Sequence, residues 1–174
     1  MVHMKKKLIP FVLFLSLLGL GALSLLSIHN LQGNARVINY TGVVRGATQR
    51  LVKEELKGHA DDALIEHLDG ILDELATGQG TNRLIRLDDQ AYQDLLASME
   101  SQWQMLKEEI MLVRQGADPE NLFELSESYF QLADATVTAA ELYTEKQVNQ
   151  ASQGFGVLIL AAMGVWGILV WQER

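Results

Sequence analysis

Residues 35–56 read ARVINYTGVVRGATQRLVKEEL. The stretch has helical spacing, yet Gly42 and Gly46 lie inside it, and each costs a helix interior about 1 kcal/mol relative to Ala. Heptad steps give Leu31, Ala35, Ile38, Gly42, Arg45, Gln49, Val52 and Leu56, a line that is apolar or small except for Arg45 and Gln49 near its centre. A second line, Val37, Tyr40, Val44, Thr48 with Ala47, and Leu51, runs beside it and is also largely apolar. A helix with two adjacent packing faces has two partners. One is its own bundle. The other is expected to be the same helix of a second copy, giving a homodimer through the first-helix seam. Gly42 and Gly46 would allow close approach there, and a two-fold axis would bring two copies of Arg45 together.

Upstream of this stretch, Leu8 to Ile28 is a run of 21 residues without a charge, long enough to cross a bilayer as a helix. Downstream, Phe155 to Trp171 is a second run of 17, at the short end of the spanning range. Lys5, Lys6 and Lys7 precede the first run and place the N-terminus in the cytoplasm; two spans return the C-terminus there. Trp166 and Trp171 suit the interface at that end. A cleaved signal peptide is the alternative for the first run. Its apolar part is longer than the usual signal, and ALSLLSIHN holds no clean small-x-small cleavage site, so an uncleaved span is expected. The organisation is then a cytoplasmic N-terminus (1–7), a first span (8–28), an extracytoplasmic domain (29–154), a second span (155–171) and the start of a cytoplasmic region (172–174).

Between the spans no segment alternates like a strand, and four helices are expected. The first runs from Leu8 to Lys57, about 75 Å of rod, with Gly33 as a weak point and Gly58 as its end. Asp61 caps the second, whose stripe is Leu64, Leu68, Ile71, Leu72 and Leu75 and whose stop is Gly78. GQGTNRLIRLDD is a loop, and Asp88 is the expected cap of the third helix. Tyr92, Leu95, Met99, Trp103, Leu106, Ile110 and Val113 form its seam, read as core. Asp118 caps the fourth, with Pro119 at its first position. That helix carries one apolar line at Phe123, Phe130 and Val137 and another at Tyr129, Ala133, Ala140 and Tyr143, and it continues into the second span, where Gly154 and Gly156 are possible kinks. The fold class is all-α: an antiparallel up-down four-helix bundle whose first and last helices continue into two transmembrane helices. Helices that both build a domain and cross the bilayer can carry a displacement inward.

The domain holds 21 acids against 10 bases, which argues against nucleic acid as a partner. The chain has no cysteine, hence no disulfide framework. His59 and His67 with Asp62 and Glu66 make no compact ligand spacing, so no metal is expected. No nucleophile motif, phosphate loop or acid pair suggests catalysis. No cofactor and no enzyme activity are expected, an output kinase or diguanylate cyclase belonging to a longer protein.

Two guanidiniums near one axis repel, so something negative must lie beside Arg45. Arg suits planar oxyanions, because its fork donates paired hydrogen bonds. A small planar anion such as nitrate is one reading. The other is a carboxylate of the fourth helix, Glu127, Asp134 or Glu141, or snorkelling to water. Gln49 follows on the same line and would donate to an anion or fix register. Arg50 would line the same pocket or form a surface pair with Glu54 or Asp61.

INYTGVVRGATQRLVK, residues 38–53, resembles the start of the sensor domain of NarX-type nitrate/nitrite sensor kinases and PilJ-type chemotaxis transducers. The shared frame is Ile38, Asn39, Gly42 and Arg45, followed by Arg50. The resemblance implies the sensory region of a bacterial inner-membrane receptor, with its sensor domain periplasmic or extracellular. It implies a ligand site at a dimer interface with Arg45 as the anion-binding residue, Gly42 giving access and Asn39, Gln49 and Arg50 nearby. Gly46 and Ala47 depart from the Met-Gln pair common after that arginine in nitrate sensors, which weakens nitrate as the ligand. The wording of this stretch looks closer to sensor regions of diguanylate cyclases and hybrid histidine kinases.

Overall fold

A computed structural model describes residues 2–172. They form four α-helices: α1 (Val2–Glu55), α2 (Asp62–Thr77), α3 (Gln90–Arg114) and α4 (Glu120–Gln172). Among the described residues there is no strand. The helix α1 runs uninterrupted through Pro10 and Gly33, and α4 through Gly154 and Gly156. The chain separates into two compact units, one of the residues up to Gln32 together with those from Glu145, the other Gly33–Thr144.

The helix ends have local causes. Asp61 caps α2, its carboxylate accepting from Leu64 N at 3.0 Å. Gly78 closes α2 in the left-handed region (φ 71°), donating to the Glu74 carbonyl at 2.8 Å. Asp89, not Asp88, caps α3, accepting from Tyr92 N at 3.0 Å. The shift by one residue follows from Leu87, which is buried and whose carbonyl accepts from the Gln93 side chain (Nε2) at 2.9 Å rather than from a helical backbone N–H, so the chain turns into the helix only after it. Asp118 accepts from Glu120 N at the start of α4.

The unit Gly33–Thr144 has one apolar core to which all four helices contribute. The helices α2 and α3 supply its bulk: Leu68, Ile71, Leu72 and Leu75 against Leu96, Met99, Trp103, Leu106 and Ile110. Leu96 takes the place expected for Leu95. Counting back from Met99, Leu96 continues the alternating three- and four-residue steps to Tyr92, and Leu95 falls on the half-buried flank. The core of α4 is the line Tyr129, Ala133, Ala140, while Phe123 and Phe130 remain 50% and 38% exposed. The core of α1 is the line through Val37, Val44 and Leu51.

The α2–α3 loop is built around one carboxylate. Glu74 is buried on the last turn of α2, and its oxygens accept from Asn82 N at 2.9 Å, Asn82 Nδ2 at 2.8 Å and Leu84 N at 2.9 Å. Gly80 lies against this carboxylate where a side chain would collide with it. Leu84 and Leu87 point into the core, and Arg83 between them and Asn82 adopts φ 57°.

In the other unit, large apolar side chains stand exposed along both segments, among them Leu17, Leu25, Leu26, Val157, Leu160 and Ile168. Both α1 and α4 are long and apolar enough to cross a membrane, with mean hydropathies of 2.4 and 1.6 over windows that are 0% buried.

Candidate functional site

The guanidinium of Arg45 is paired with the Asp134 carboxylate of α4. It also lies over the Phe130 ring, 5.6 Å from its centroid. Of the three acids spaced along this part of α4, helix register therefore selects Asp134. The pair is open to water, with side chains 34% and 55% exposed, so its contribution to stability is of the order of 0.2–1 kcal/mol. The charge on the α1 seam thus has a partner inside its own chain. An anion reaching Arg45 from solvent would compete with Asp134 for the same N–H groups.

One turn on, Gln49 Nε2 donates to the Ser126 carbonyl of α4 at 3.0 Å, where Ser126 turns its own hydroxyl to Phe123 O. Arg45 and Gln49 therefore form two successive ties between α1 and α4. Gly42 is half-buried and Gly46 exposed, and a Cβ at either would meet nothing within 4 Å. Neither glycine serves a close contact within this chain. Asn39 is exposed and lies apart from the Arg45–Asp134 pair, on the outer face of α1. Arg50 is 71% exposed and faces Asp61 at 3.8 Å, the surface pair rather than a lining position.

Inside, α1 presents a ladder of buried polar groups seven residues apart: Asn34, Thr41, Thr48 and Glu55. Thr41 donates to the Val37 carbonyl at 2.8 Å and lies 3.4 Å from the Tyr92 hydroxyl. Burial pushes the Tyr92 phenol up to about 12. Thr48 Oγ1 and Tyr129 OH are buried with no hydrogen-bond partner. Burial raises the Tyr129 phenol too. The buried line of α4 holds Ser126, Ala133, Thr136 and Ala140, with the large Tyr129 ring among them.

Two charged clusters fix the remaining helices. Glu55 receives the fork of Arg114 at 2.6 and 2.9 Å, and Arg114 also reaches Asp62 at 2.7 Å. These acids hold the guanidinium in its charged form, the hydrogen bonds it donates to Glu55 contributing most. Asp69 accepts from Trp103 Nε1 and Lys107 Nζ, both at 2.7 Å. Beside it, Asp69, Asp73, Glu100, Trp103 and Gln104 line an open groove of about 470 Å³. Partial burial, then the neighbouring Asp73 charge, raises the Glu100 carboxyl. Among the described residues no group of three His, Asp or Glu side chains could hold a metal. His59 instead faces Glu54 at 3.1 Å.

Residue type alone does not mark Glu74 and Glu55 as buried among so many acids; the signal is spacing, Glu74 lying three residues after Ile71 and Glu55 seven after Thr48. No protein-family model matches the chain, and no curated protein matches it.

Proposed function

We propose that this chain is the input region of a bacterial transmembrane signalling receptor, with residues 29–154 outside the cytoplasmic membrane, facing the periplasm or cell exterior. Spans at 8–28 and 155–171 leave both termini in the cytoplasm. The observation that carries the reading is that the two helices with membrane-spanning character, α1 and α4, also supply the core of the folded unit and are tied there by Arg45–Asp134 and Gln49–Ser126.

An antiparallel up-down-up-down order accounts for these pairings. From Arg45 to Gln49 the α4 partners run back from Asp134 to Ser126. From Asp62 to Asp69 the α3 partners run back from Arg114 to Trp103. By contrast, α1 and α3 run together, Thr41 beside Tyr92 and Glu55 beside Arg114. Buried Thr41, Thr48, Ser126 and Thr136 interrupt the apolar packing of Val37, Val44, Leu51 and Tyr129 on α1 and α4, whereas Leu68, Ile71, Leu72 and Leu75 of α2 and Leu96, Met99, Trp103 and Leu106 of α3 form a continuous apolar block. The interrupted packing suits α1 and α4 as the moving pair and α2 and α3 as the fixed one.

The proposed stimulus is a small planar anion, nitrate being one case, that takes Arg45 from Asp134 and loosens α4 from α1. The resemblance of residues 38–53 to nitrate sensors and the exposure of the Arg45–Asp134 pair support it. Dimerisation through α1 is part of this reading, since Gly42 and Gly46 leave open space for a second backbone. The groove at Asp73 and Glu100 favours a second reading, a receptor for a basic protein partner. A ligand-free dimerisation module is the third.

Calorimetric titration of the full chain in nanodiscs with nitrate, nitrite and other small oxyanions tests the first reading against the other two. Anion sensing requires saturable binding that Arg45→Ala abolishes and Asp134→Asn strengthens, because the competing carboxylate is gone. Absence of binding to both the wild type and Asp134→Asn refutes it.

A further inference from the structure

The α2–α3 loop carries features that the sensory reading does not use. Its backbone is over-determined: Glu74 holds Asn82 and Leu84, Gly80 is packed on that carboxylate, and Arg36 Nη1 donates to the Arg83 carbonyl at 3.2 Å. Arg83 sits in the left-handed region, which a long side chain adopts only when its surroundings enforce it. What this rigid frame displays is unusual. Leu84 and Leu87 turn inward and Arg83 and Arg86 are exposed, while Ile85 packs against Gly33 and keeps 38% of its surface open. Among the described residues Arg36, Arg83 and Arg86 have no carboxylate partner, although Arg45, Arg50, Lys57, Lys107 and Arg114 each have one. Lys53 and Lys146 are likewise without one; the three arginines differ in converging on one loop, which Arg36 joins through the Arg83 carbonyl, beside the exposed Ile85.

The chain itself says what this loop lies near. Ile85 rests on Gly33, where an added Cβ would come within 2.7 Å of Ile85 Cδ1. Gly33 is only five residues beyond Ile28, the last residue of the first apolar run. Five residues reach at most about 18 Å even when fully extended. If the run spans the membrane, the loop is therefore within reach of the headgroup layer whatever the orientation of the folded unit.

We propose that the loop docks on the anionic phospholipid headgroups of the leaflet facing the domain. Arg36, Arg83 and Arg86 pair with phosphates, and the exposed side of Ile85, whose tip stays packed on Gly33, lies against the headgroup layer between them. Arg donates paired hydrogen bonds to phosphate, and an apolar side chain flanked by cations is the composition of interfacial anchors. Docking fixes the end of α2 and the start of α3 against the bilayer, so that α1 and α4 move relative to an anchored pair. The inference rests on the reading of α1 as a membrane span.

The test uses the absence of cysteine from the chain. Thr81→Cys in the loop and His59→Cys in the turn between α1 and α2 are spin-labelled one at a time. Full-length protein goes into nanodiscs of phosphatidylcholine alone or mixed with phosphatidylglycerol. Accessibility is read with a water-soluble relaxation agent and with a chelate attached to lipid headgroups. The Thr81→Cys label is expected to contact the headgroup chelate in anionic discs, and the His59→Cys label to contact only the aqueous agent. Replacing Arg83→Asn and Arg86→Gln together should weaken the loop contact roughly 25-fold, about fivefold per arginine at an anionic surface. Asn tolerates the backbone of position 83, so the loop frame persists, and helicity by circular dichroism checks this. Equal water accessibility of both labels, or loop contact indifferent to anionic lipid and to the double substitution, overturns the proposal while leaving the spans intact. Failure of the wild type to insert, seen as proteolysis of the apolar runs, overturns the spanning reading and this inference with it.

Discussion

Removing the Glu74 carboxylate should open the α2–α3 loop without unfolding the rest. The group accepts three hydrogen bonds between 2.8 and 2.9 Å while buried. Hydrogen bonds to a charged group contribute about 1.5–3 kcal/mol each, but three donors in one short loop relax together and water replaces part of the loss. About 3 kcal/mol for Glu74→Ala is a reasonable sum, which corresponds to a hundredfold loss of protection at about 1.4 kcal/mol per decade. The assay is hydrogen exchange by mass spectrometry on the full chain in nanodiscs. The amides of Asn82 and Leu84 should lose about a hundredfold in protection, while those of Met99 to Leu106 change little. Glu74→Gln should lose less but still open the loop, because its amide nitrogen meets an N–H donor. The pH dependence has a definite sign. Burial pushes this carboxyl up, but the hydrogen bonds from Leu84 and Asn82 outweigh burial and hold it below its ordinary value of 4.5. Its stabilisation is therefore full above that value and is lost as pH falls through the lowered folded one. Loop protection in the wild type should drop in that window, and Glu74→Gln should not show the step. Wild-type protection of Asn82 and Leu84 in Glu74→Ala would refute the reasoning.

Arg114→Ala should destabilise the folded unit by about 3–5 kcal/mol in chemical denaturation, since it leaves Glu55 buried without its cation. Arg114→Lys should recover only part, because an ammonium cannot reproduce the two-pronged contact. A double-mutant cycle on Arg45→Ala and Asp134→Ala should return a coupling of about 0.2–1 kcal/mol, falling with salt, as fits an exposed pair. Gly80→Ala should destabilise the loop in hydrogen exchange, since its Cβ would collide with the Glu74 carboxylate.

Much of the architecture was legible because caps and stripes are local. Asp61, Gly78 and Asp118 act at the ends assigned to them, and the α2 and α4 core lines follow from helical spacing. Neighbouring residues of the same type defeated local reasoning: Asp88 beside Asp89 and Leu95 beside Leu96 differ only in tertiary placement. On α1 both lines were apolar enough to be core, and only the position of α4 leaves Arg45 on the flank and buries Val37, Val44 and Leu51. The partner of Arg45 was one of three acids at helical spacing, and sequence carries no inter-helix register to choose among them. The arginines of the loop were invisible as a group, since Arg36 is 47 residues from Arg83 and only the fold joins them.

Topology in living cells tests the central claim most directly. With no native cysteine to interfere, single cysteines at His59 and Thr81, and another at a terminus, can be treated with a membrane-impermeant maleimide in intact cells with a permeable outer layer. The account predicts labelling of both bundle positions in intact cells, faster at His59 than at Thr81 in the membrane-facing loop, and labelling of the terminus only after lysis. A terminus labelled in intact cells, or bundle positions labelled only after lysis, would contradict a receptor whose sensory bundle stands outside the membrane on two spans.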